Sequence, residues 1–179
     1  HSDVIGGAVI TKDSEILSKL KNWANNLGIA GSPFDSYLAL RGLRTLSLRM
    51  KQHEQNASAL VELLSNHPKI SHVYYPGLKH HPSHEIAKKQ QSGFGGMLSF
   101  EILGDIAGVK NFIAKLEILS LAGSLGGFES LVGHPYTMTH AALSNDQKKE
   151  IGIKENLIRI SAGLEDTEDL LDAVKKALG

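Results

Sequence analysis

The spacing of apolar residues changes at His67-Pro68, and this change constrains the fold more than any other feature of the chain. Before it, residues 33–67 repeat apolar side chains at helical spacing, which predicts one very long helix or two helices in series. After it, residues 95–103 and 156–165 alternate apolar and polar side chains, and helical patterns lie between them. From about residue 69 onward, this alternation predicts an α/β sandwich with one face of its sheet covered.

Shorter segments complete the predicted elements. Helical spacing or capping residues predict helices at Ser14–Asn26, Asp105–Leu116, 145–150 and from Asp166 to the end of the chain. Either Asn145 or Asp146 is expected to cap the third of these helices. Asp169 is the expected capping-box partner of Asp166 in the last. Near the start, DVIGGAVI is apolar and predicts a short strand or hairpin arm.

The charge balance argues against two classes of main partner. Lys+Arg and Asp+Glu both total 19, whereas nucleic acids and anionic membranes attract clustered positive charge. No apolar run approaches the roughly 20 residues that span a bilayer. The sequence has no cysteine, which excludes disulfides and makes a structural zinc site an unfavourable interpretation. A cytoplasmic protein without a bound metal is therefore expected.

Arg159 is the first candidate for binding a ligand, because it lies within the alternating segment 156–165. If Ile158 and Ile160 face the helices, then Arg159 faces the opposite side of the sheet. A guanidinium on an otherwise apolar strand needs an anion or water, and its planar fork suits a carboxylate. The alternative is a structural ion pair with a nearby Glu.

The segment 121–141 is rich in glycine and hydroxyl residues. Gly123, Gly126 and Gly127 carry no side-chain bulk, so their backbone N–H groups could approach a ligand closely. The hydroxyl of Ser124 could donate to the same ligand, and together with Arg159 this would form a carboxylate clamp. The alternative is a glycine-rich β-bulge or turn.

The histidines give no comparable signal. The HHPSH motif at 80–84 resembles a metal-binding cluster, but Pro82 interrupts its local geometry and a solvated loop is the favoured interpretation. His134 and His140 flank PYTMT, and no G-x-S-x-G motif supplies a nucleophile for them. A structural or supporting role is therefore expected for both.

Taken in order, five segments resemble the Cys/Met-metabolism family of pyridoxal-phosphate enzymes, which includes cystathionine γ-synthase, cystathionine γ-lyase and methionine γ-lyase. The segments are HSDVIGGAVI, PFDSYLALRGLRTLSLRM, GFGGMLSFEI, SLGGFESLVGHPYTMTHA and NLIRISAGLEDTEDLL. The resemblance covers essentially the whole chain. It implies an α/β protein of the transferase fold type I, a homotetramer that acts on amino-acid substrates of sulfur metabolism. It also implies pyridoxal 5′-phosphate as the cofactor, serving as an electron sink.

In that family, the Schiff-base lysine lies just upstream of the segment that begins here at His1. The resemblance therefore implies three parts: residues 1–40 end the large cofactor domain, 41–68 form a long linking helix, and 69–179 form the small C-terminal domain. None of the lysines here stands in the Schiff-base context, so no catalytic or cofactor-binding residue is assigned. The alternative function is a non-catalytic fragment or assembly module that lacks the lysine.

Four positions match the substrate site of the family. Arg159 matches the arginine that holds the substrate α-carboxylate, and Ser124 matches a serine beside it. The backbone of Gly123 lines the substrate, and Thr139 faces the site. Many relatives carry Glu where this chain has Gly123, which leaves room for a homoserine ester or a thioether such as methionine.

Overall fold

The computed structural model describes residues 1–179, and the chain divides into two compact units, 1–47 and 48–179. The boundary falls within the segment expected to form a linking helix. No helix combines the length and the apolar character needed to cross a membrane.

The first unit contains two helices, α1 (Ser14–Leu27) and α2 (Pro33–Leu43). The carboxylate of Asp13 caps the start of α1, and Gly28 ends it in the left-handed conformation, with φ 67°. The strand predicted for DVIGGAVI is wrong, because residues 1–13 form no regular element. A strand needs a neighbour to pair its backbone groups, and this unit contains no other strand.

The long helical pattern forms two helices in series, as one of the two predictions had it. After α2, the helix α3 (Leu46–Ser65) continues the chain beyond a short break at Arg44-Thr45. Most of α3 belongs to the second unit, and its C-terminal half packs into the core of that unit through residues that include Leu60 and Leu64, both fully buried.

The second unit contains a five-stranded sheet and four further helices. The strands are β1 (Ile70–Tyr74), β2 (Met97–Ile102), β3 (Ser120–Leu121), β4 (Leu131–Gly133) and β5 (Leu157–Ser161). The helices are α4 (His84–Gln90), α5 (Ile106–Ala114), α6 (Asn145–Glu150) and α7 (Thr167–Leu178).

The sheet is mixed, with the strand order β1-β2-β5-β4-β3. All neighbours are antiparallel except β3 and β4, which are parallel. Phe100 lies opposite Ile158 in the β2–β5 ladder, and both belong to the core. Phe100 also contacts Phe112 of α5 edge to face, with ring centroids 5.9 Å apart. Apolar residues of α3, α5 and α7 complete this core.

The opposite face of the sheet is also largely buried, which differs from the prediction of one covered face. Glu101, Leu131, Leu157 and Ser161 all point to this side by alternation and are at most 8% exposed. The residues that contact this face, such as Gly126 and Lys154, lie in loops and not in amphipathic helices. No helical spacing in the sequence therefore predicts that this face is covered. Arg159 lies on this second face.

Glu101 is the buried charge of the second face. Its carboxylate accepts hydrogen bonds from the Tyr74 hydroxyl at 2.5 Å and from the Lys154 ammonium at 2.8 Å. Burial pushes the pKa of Glu101 upward, but the bonds from Lys154 and Tyr74 together outweigh it, and the pKa is lowered. Burial and the same carboxylate raise the pKa of Tyr74 to about 12.

Two caps differ from their predictions. Ser144, rather than Asn145 or Asp146, caps α6, and it forms a reciprocal capping box with Gln147. Asp166 caps α7 as expected through the Glu168 N–H, but Asp169 makes no return bond. An Asp side chain is one methylene shorter than the Glu or Gln that usually closes such a box, so it reaches the cap backbone less easily.

Candidate functional site

Arg159 lies in the middle of β5, and its guanidinium is held by the backbone of the glycine-rich segment. The Nη2 group donates to the carbonyl oxygens of Gly123 at 3.3 Å and Ser124 at 2.8 Å. No carboxylate of the chain pairs with Arg159, so the alternative of a structural ion pair with Glu is not realised. The carbonyls fix the guanidinium without neutralising its charge.

One donor of the guanidinium has no acceptor. The Nε atom of Arg159 is buried and makes no hydrogen bond. A buried N–H without a partner costs about 1–3 kcal/mol, and such groups are rare in folded proteins. The positive charge and the unsatisfied donor together call for an anion at this position.

A small crevice surrounds the guanidinium. Its walls come from Ala122, Gly123, Gly133, His134, Pro135, Met138, Thr139 and Arg159. Gly133 eases this close approach, because a Cβ there would lie a tight 3.2 Å from the Ala122 carbonyl oxygen and 3.4 Å from Nη2 of Arg159. Sequence analysis missed Gly133, which reads as one more glycine in a glycine-rich segment.

The structure brings the four predicted site residues to this crevice. Gly123 and Thr139 line it beside Arg159, and Ser124 contacts Arg159 through its carbonyl oxygen. The hydroxyl of Ser124 is exposed and makes no hydrogen bond within the chain. The glycine-rich segment thus presents carbonyl oxygens to Arg159, where backbone N–H donors toward a ligand were expected.

The two histidines near the crevice are occupied by other contacts. His134 is buried, and its Nε2 atom lies 2.9 Å from the Glu155 carbonyl oxygen, while Nδ1 lies 2.8 Å from the Thr137 hydroxyl. A carbonyl oxygen only accepts, so Nε2 donates to Glu155, and both ring nitrogens of His134 have partners within the chain. His140 contacts the hydroxyl of Thr139 at 2.9 Å.

The HHPSH motif lies elsewhere and is only partly solvated. His84 is mostly buried, contacts the Pro76 carbonyl oxygen at 2.8 Å and stacks on Phe94 with ring centroids 5.5 Å apart. His80 is exposed, as the prediction of a solvated loop requires. No group of three or more His, Cys, Asp or Glu side chains is placed to hold a metal ion.

Comparison with known proteins then decides the family. The sequence profile of the Cys/Met metabolism PLP-dependent enzymes matches residues 1–179. The chain belongs to this family. The resemblance noted in the sequence is confirmed, and so is the fold expected from it.

Individual relatives agree with the family assignment. Cystathionine γ-synthase of Escherichia coli (strain K12) is 50% identical over 171 residues, which are 96% of this chain and 44% of that enzyme. Cystathionine γ-lyase of Dictyostelium discoideum is 46% identical over 99% of this chain and 46% of that enzyme. The crystal structure of cystathionine γ-synthase from Xanthomonas oryzae pv. oryzae, in complex with cystathionine, superposes with a TM-score of 0.93 at 50% identity, over 99% of this chain and 46% of that one.

The chain therefore spans just under half the length of the relatives that it matches. Pyridoxal phosphate is the cofactor of this family. The crevice around Arg159 is lined by a guanidinium and by no lysine amine, so its residues do not fit the aldehyde of the cofactor.

Proposed function

We propose that this chain supplies the α-carboxylate clamp of a pyridoxal-phosphate-dependent γ-synthase or γ-lyase of sulfur amino-acid metabolism. The buried, unpartnered Nε of Arg159 is the observation that carries the proposal. Because carbonyl oxygens already hold Nη2, the guanidinium keeps its orientation while the remaining N–H groups stay free for an anion.

An amino-acid carboxylate suits these donors well. Its two oxygens would accept charge-assisted hydrogen bonds from Arg159, and Ser124, which holds Arg159 through its carbonyl oxygen, has an exposed hydroxyl as a further candidate donor. Thr139 lines the same crevice, although its hydroxyl already contacts His140. The role of this chain's residues is to bind and orient the substrate, and the chemistry at Cα belongs to the cofactor.

Gly123 supports a choice among substrates. A Cβ at this position would meet only the Cγ2 atom of Thr139, at 3.9 Å, so the backbone has room for a side chain that the chain does not carry. The open space beside Gly123 suits a neutral distal group, as in a homoserine ester or methionine. Cystathionine, whose distal end carries an amine, stays within the proposal because the relatives are named for it.

The proposal includes the wider assignments implied by the family resemblance. Residues 1–40 form the end of the large domain, residues 41–68 form the long linking helix, and residues 69–179 form the small C-terminal domain. The whole protein is a cytoplasmic homotetramer in this proposal. The alternative is a non-catalytic fragment or assembly module that lacks the Schiff-base lysine. Titration with pyridoxal phosphate separates the two, because a non-catalytic module gives no stoichiometric cofactor binding.

The clamp is tested by replacing Arg159 with Ala in the cofactor-loaded enzyme that contains this chain. L-Alanine carries the α-carboxylate, whereas L-alaninamide lacks it and serves as the matched ligand. Charge-assisted hydrogen bonds contribute about 1.5–3 kcal/mol each, so L-alanine should bind about 30-fold more weakly or worse, and the KM of amino-acid substrates should rise to match. The affinity for L-alaninamide should change by less than about threefold.

Two controls accompany this substitution. Arg159→Lys keeps the charge but loses the planar fork, and most of the affinity should still be lost. Lys175→Ala removes an exposed cation of α7 and should leave the affinities for both ligands unchanged. Equal loss of L-alanine and L-alaninamide, or an unchanged KM, would contradict the clamp.

A further inference from the structure

Ser161 occupies a position that neither the sequence nor the family assignment singles out. It lies on β5 two residues after Arg159, and therefore on the same face of the sheet. Its side chain is only 2% exposed. The hydroxyl oxygen accepts a hydrogen bond from the Gly126 N–H at 2.8 Å, and Gly126 itself adopts a left-handed φ of 73°.

Residues 123–130, the clamp loop, are attached to β5 and to the segment that follows it. The first two residues of the loop hold Arg159 through their carbonyls. The carbonyl of Phe128 accepts a backbone N–H from beyond β5 at 2.8 Å. Between these points, the bond from Gly126 to Ser161 is the only hydrogen bond that connects the loop to the rest of the chain.

The far end of the clamp loop has its own, separate support. The Glu165 carboxylate accepts from the Ser130 N–H at 2.6 Å and from the Ser130 hydroxyl at 2.7 Å. The Gly163 N–H donates to the same hydroxyl at 2.7 Å. Loss of the Ser161 hydroxyl would therefore free the middle of the loop and leave its far end in place.

From this arrangement we propose that Ser161 is a positioning residue for the carboxylate clamp. By holding Gly126, it sets the position of the two carbonyls that orient the guanidinium of Arg159. Ser161 acts through the loop and does not contact the ligand. The inference rests on the proposed function of Arg159, and its test separates the two.

The first measurement is structural and does not depend on activity. Hydrogen-exchange mass spectrometry of peptides covering 123–130 should show about tenfold faster exchange in Ser161→Ala, as expected for the loss of one hydrogen bond. Ser161→Thr keeps the acceptor oxygen and should restore slow exchange. Ser71→Ala is the matched control, because it removes a strand hydroxyl that contacts a carbonyl in a distant part of the sheet.

The second measurement is binding to the cofactor-loaded enzyme, with the same probes as for Arg159. Ser161→Ala should lower the affinity for L-alanine by about 3- to 10-fold, since one neutral hydrogen bond is lost. The affinity for L-alaninamide should stay unchanged. Ser161→Cys keeps the volume with a weaker acceptor, and it should behave like Ala rather than like the wild type. Because Cys fills the same space as Ser, this variant separates the loss of the hydrogen bond from any packing defect that Ala causes.

The outcomes are distinct. If Arg159→Ala weakens L-alanine selectively but both Ser161→Ala and Ser161→Cys bind it normally, the positioning role is wrong and the clamp stands. If exchange in 123–130 is unchanged in both variants, the role is also wrong. If Arg159→Ala has no selective effect, the clamp itself fails, whatever the exchange data show.

Discussion

Replacing Glu101 with Gln should destabilise the second unit at neutral pH and make its stability less dependent on acid. The carboxylate accepts from Tyr74 and Lys154, and its side chain is 7% exposed. A charge-assisted hydrogen bond contributes about 1.5–3 kcal/mol, against about 1 kcal/mol for a neutral one. Gln keeps an oxygen for Tyr74, so roughly 1 kcal/mol is lost at that bond.

The ion pair with Lys154 adds a smaller amount. Lys154 is 58% exposed, so its ammonium returns to water when the carboxylate is removed, and this pair contributes about 0.5–1 kcal/mol. The expected destabilisation by Glu101→Gln is therefore about 1–2 kcal/mol at pH 7. It is smaller than for a fully buried pair, because no unpaired charge stays inside the protein.

The pH dependence follows from the direction of the pKa shift. The folded state lowers the pKa of Glu101 below its ordinary value of 4.5. The stabilisation is therefore fully present above pH 4.5 and is lost as the pH falls through the folded pKa. The difference between wild type and Glu101→Gln should accordingly shrink as the solution is acidified below pH 4.5.

Urea unfolding followed by circular dichroism measures this difference, because the whole sheet lies in residues 48–179. Tryptophan fluorescence is less suitable, since Trp23, the one tryptophan, lies in the first unit. Asp172→Asn is the control, because its pair with Lys175 is exposed and should contribute less than about 0.5 kcal/mol. The reasoning is refuted if Glu101→Gln and Asp172→Asn are equally stable at pH 7. It is also refuted if the difference in stability between the wild type and Glu101→Gln persists on acidification.

Three further substitutions test local features of the second unit. Gly163→Ala should cost more than about 3 kcal/mol or prevent folding, because its Cβ would overlap the Ser130 nitrogen and the Glu129 carbonyl carbon. Gly108 lies within α5, and a Cβ there would meet only Oδ1 of Asp105, at an ordinary 3.8 Å. Gly108→Ala should therefore stabilise by about 0.5–1 kcal/mol in the same urea assay. Ser144→Ala should destabilise by about 1 kcal/mol and accelerate amide exchange in α6, and unchanged exchange would argue against the capping box.

The parts of the fold that depend on local signals could be predicted from the sequence. Alternation placed β2 and β5 and identified the face on which Phe100 and Ile158 lie. The cap at Asp166 follows from the same local chemistry, because its carboxylate accepts from the backbone N–H of Glu168, two residues ahead. Arg159 was singled out because it breaks an apolar alternation, whereas Thr139 was assigned only through the family resemblance.

Features that depend on distant contacts could not be predicted in this way. The cover over the second face of the sheet comes from loops, which carry no periodic pattern. The parallel pairing of β3 with β4 and the contact of Gly133 with Arg159 join segments whose spacing in sequence gives no signal. Strand alternation does place Ser161 on the same face as Arg159, two residues earlier. Its hydrogen-bond partner Gly126 is 35 positions away in the sequence, so this contact could not be predicted.

The two carbonyl bonds to Arg159 also bear on the entropy of binding. A free arginine side chain loses up to about 2 kcal/mol of rotamer freedom when it becomes fixed. Here the backbone of Gly123 and Ser124 has already restricted the guanidinium before a ligand arrives. A carboxylate in the proposed clamp would meet a rigid receptor, so less of its interaction energy would be consumed in ordering the protein.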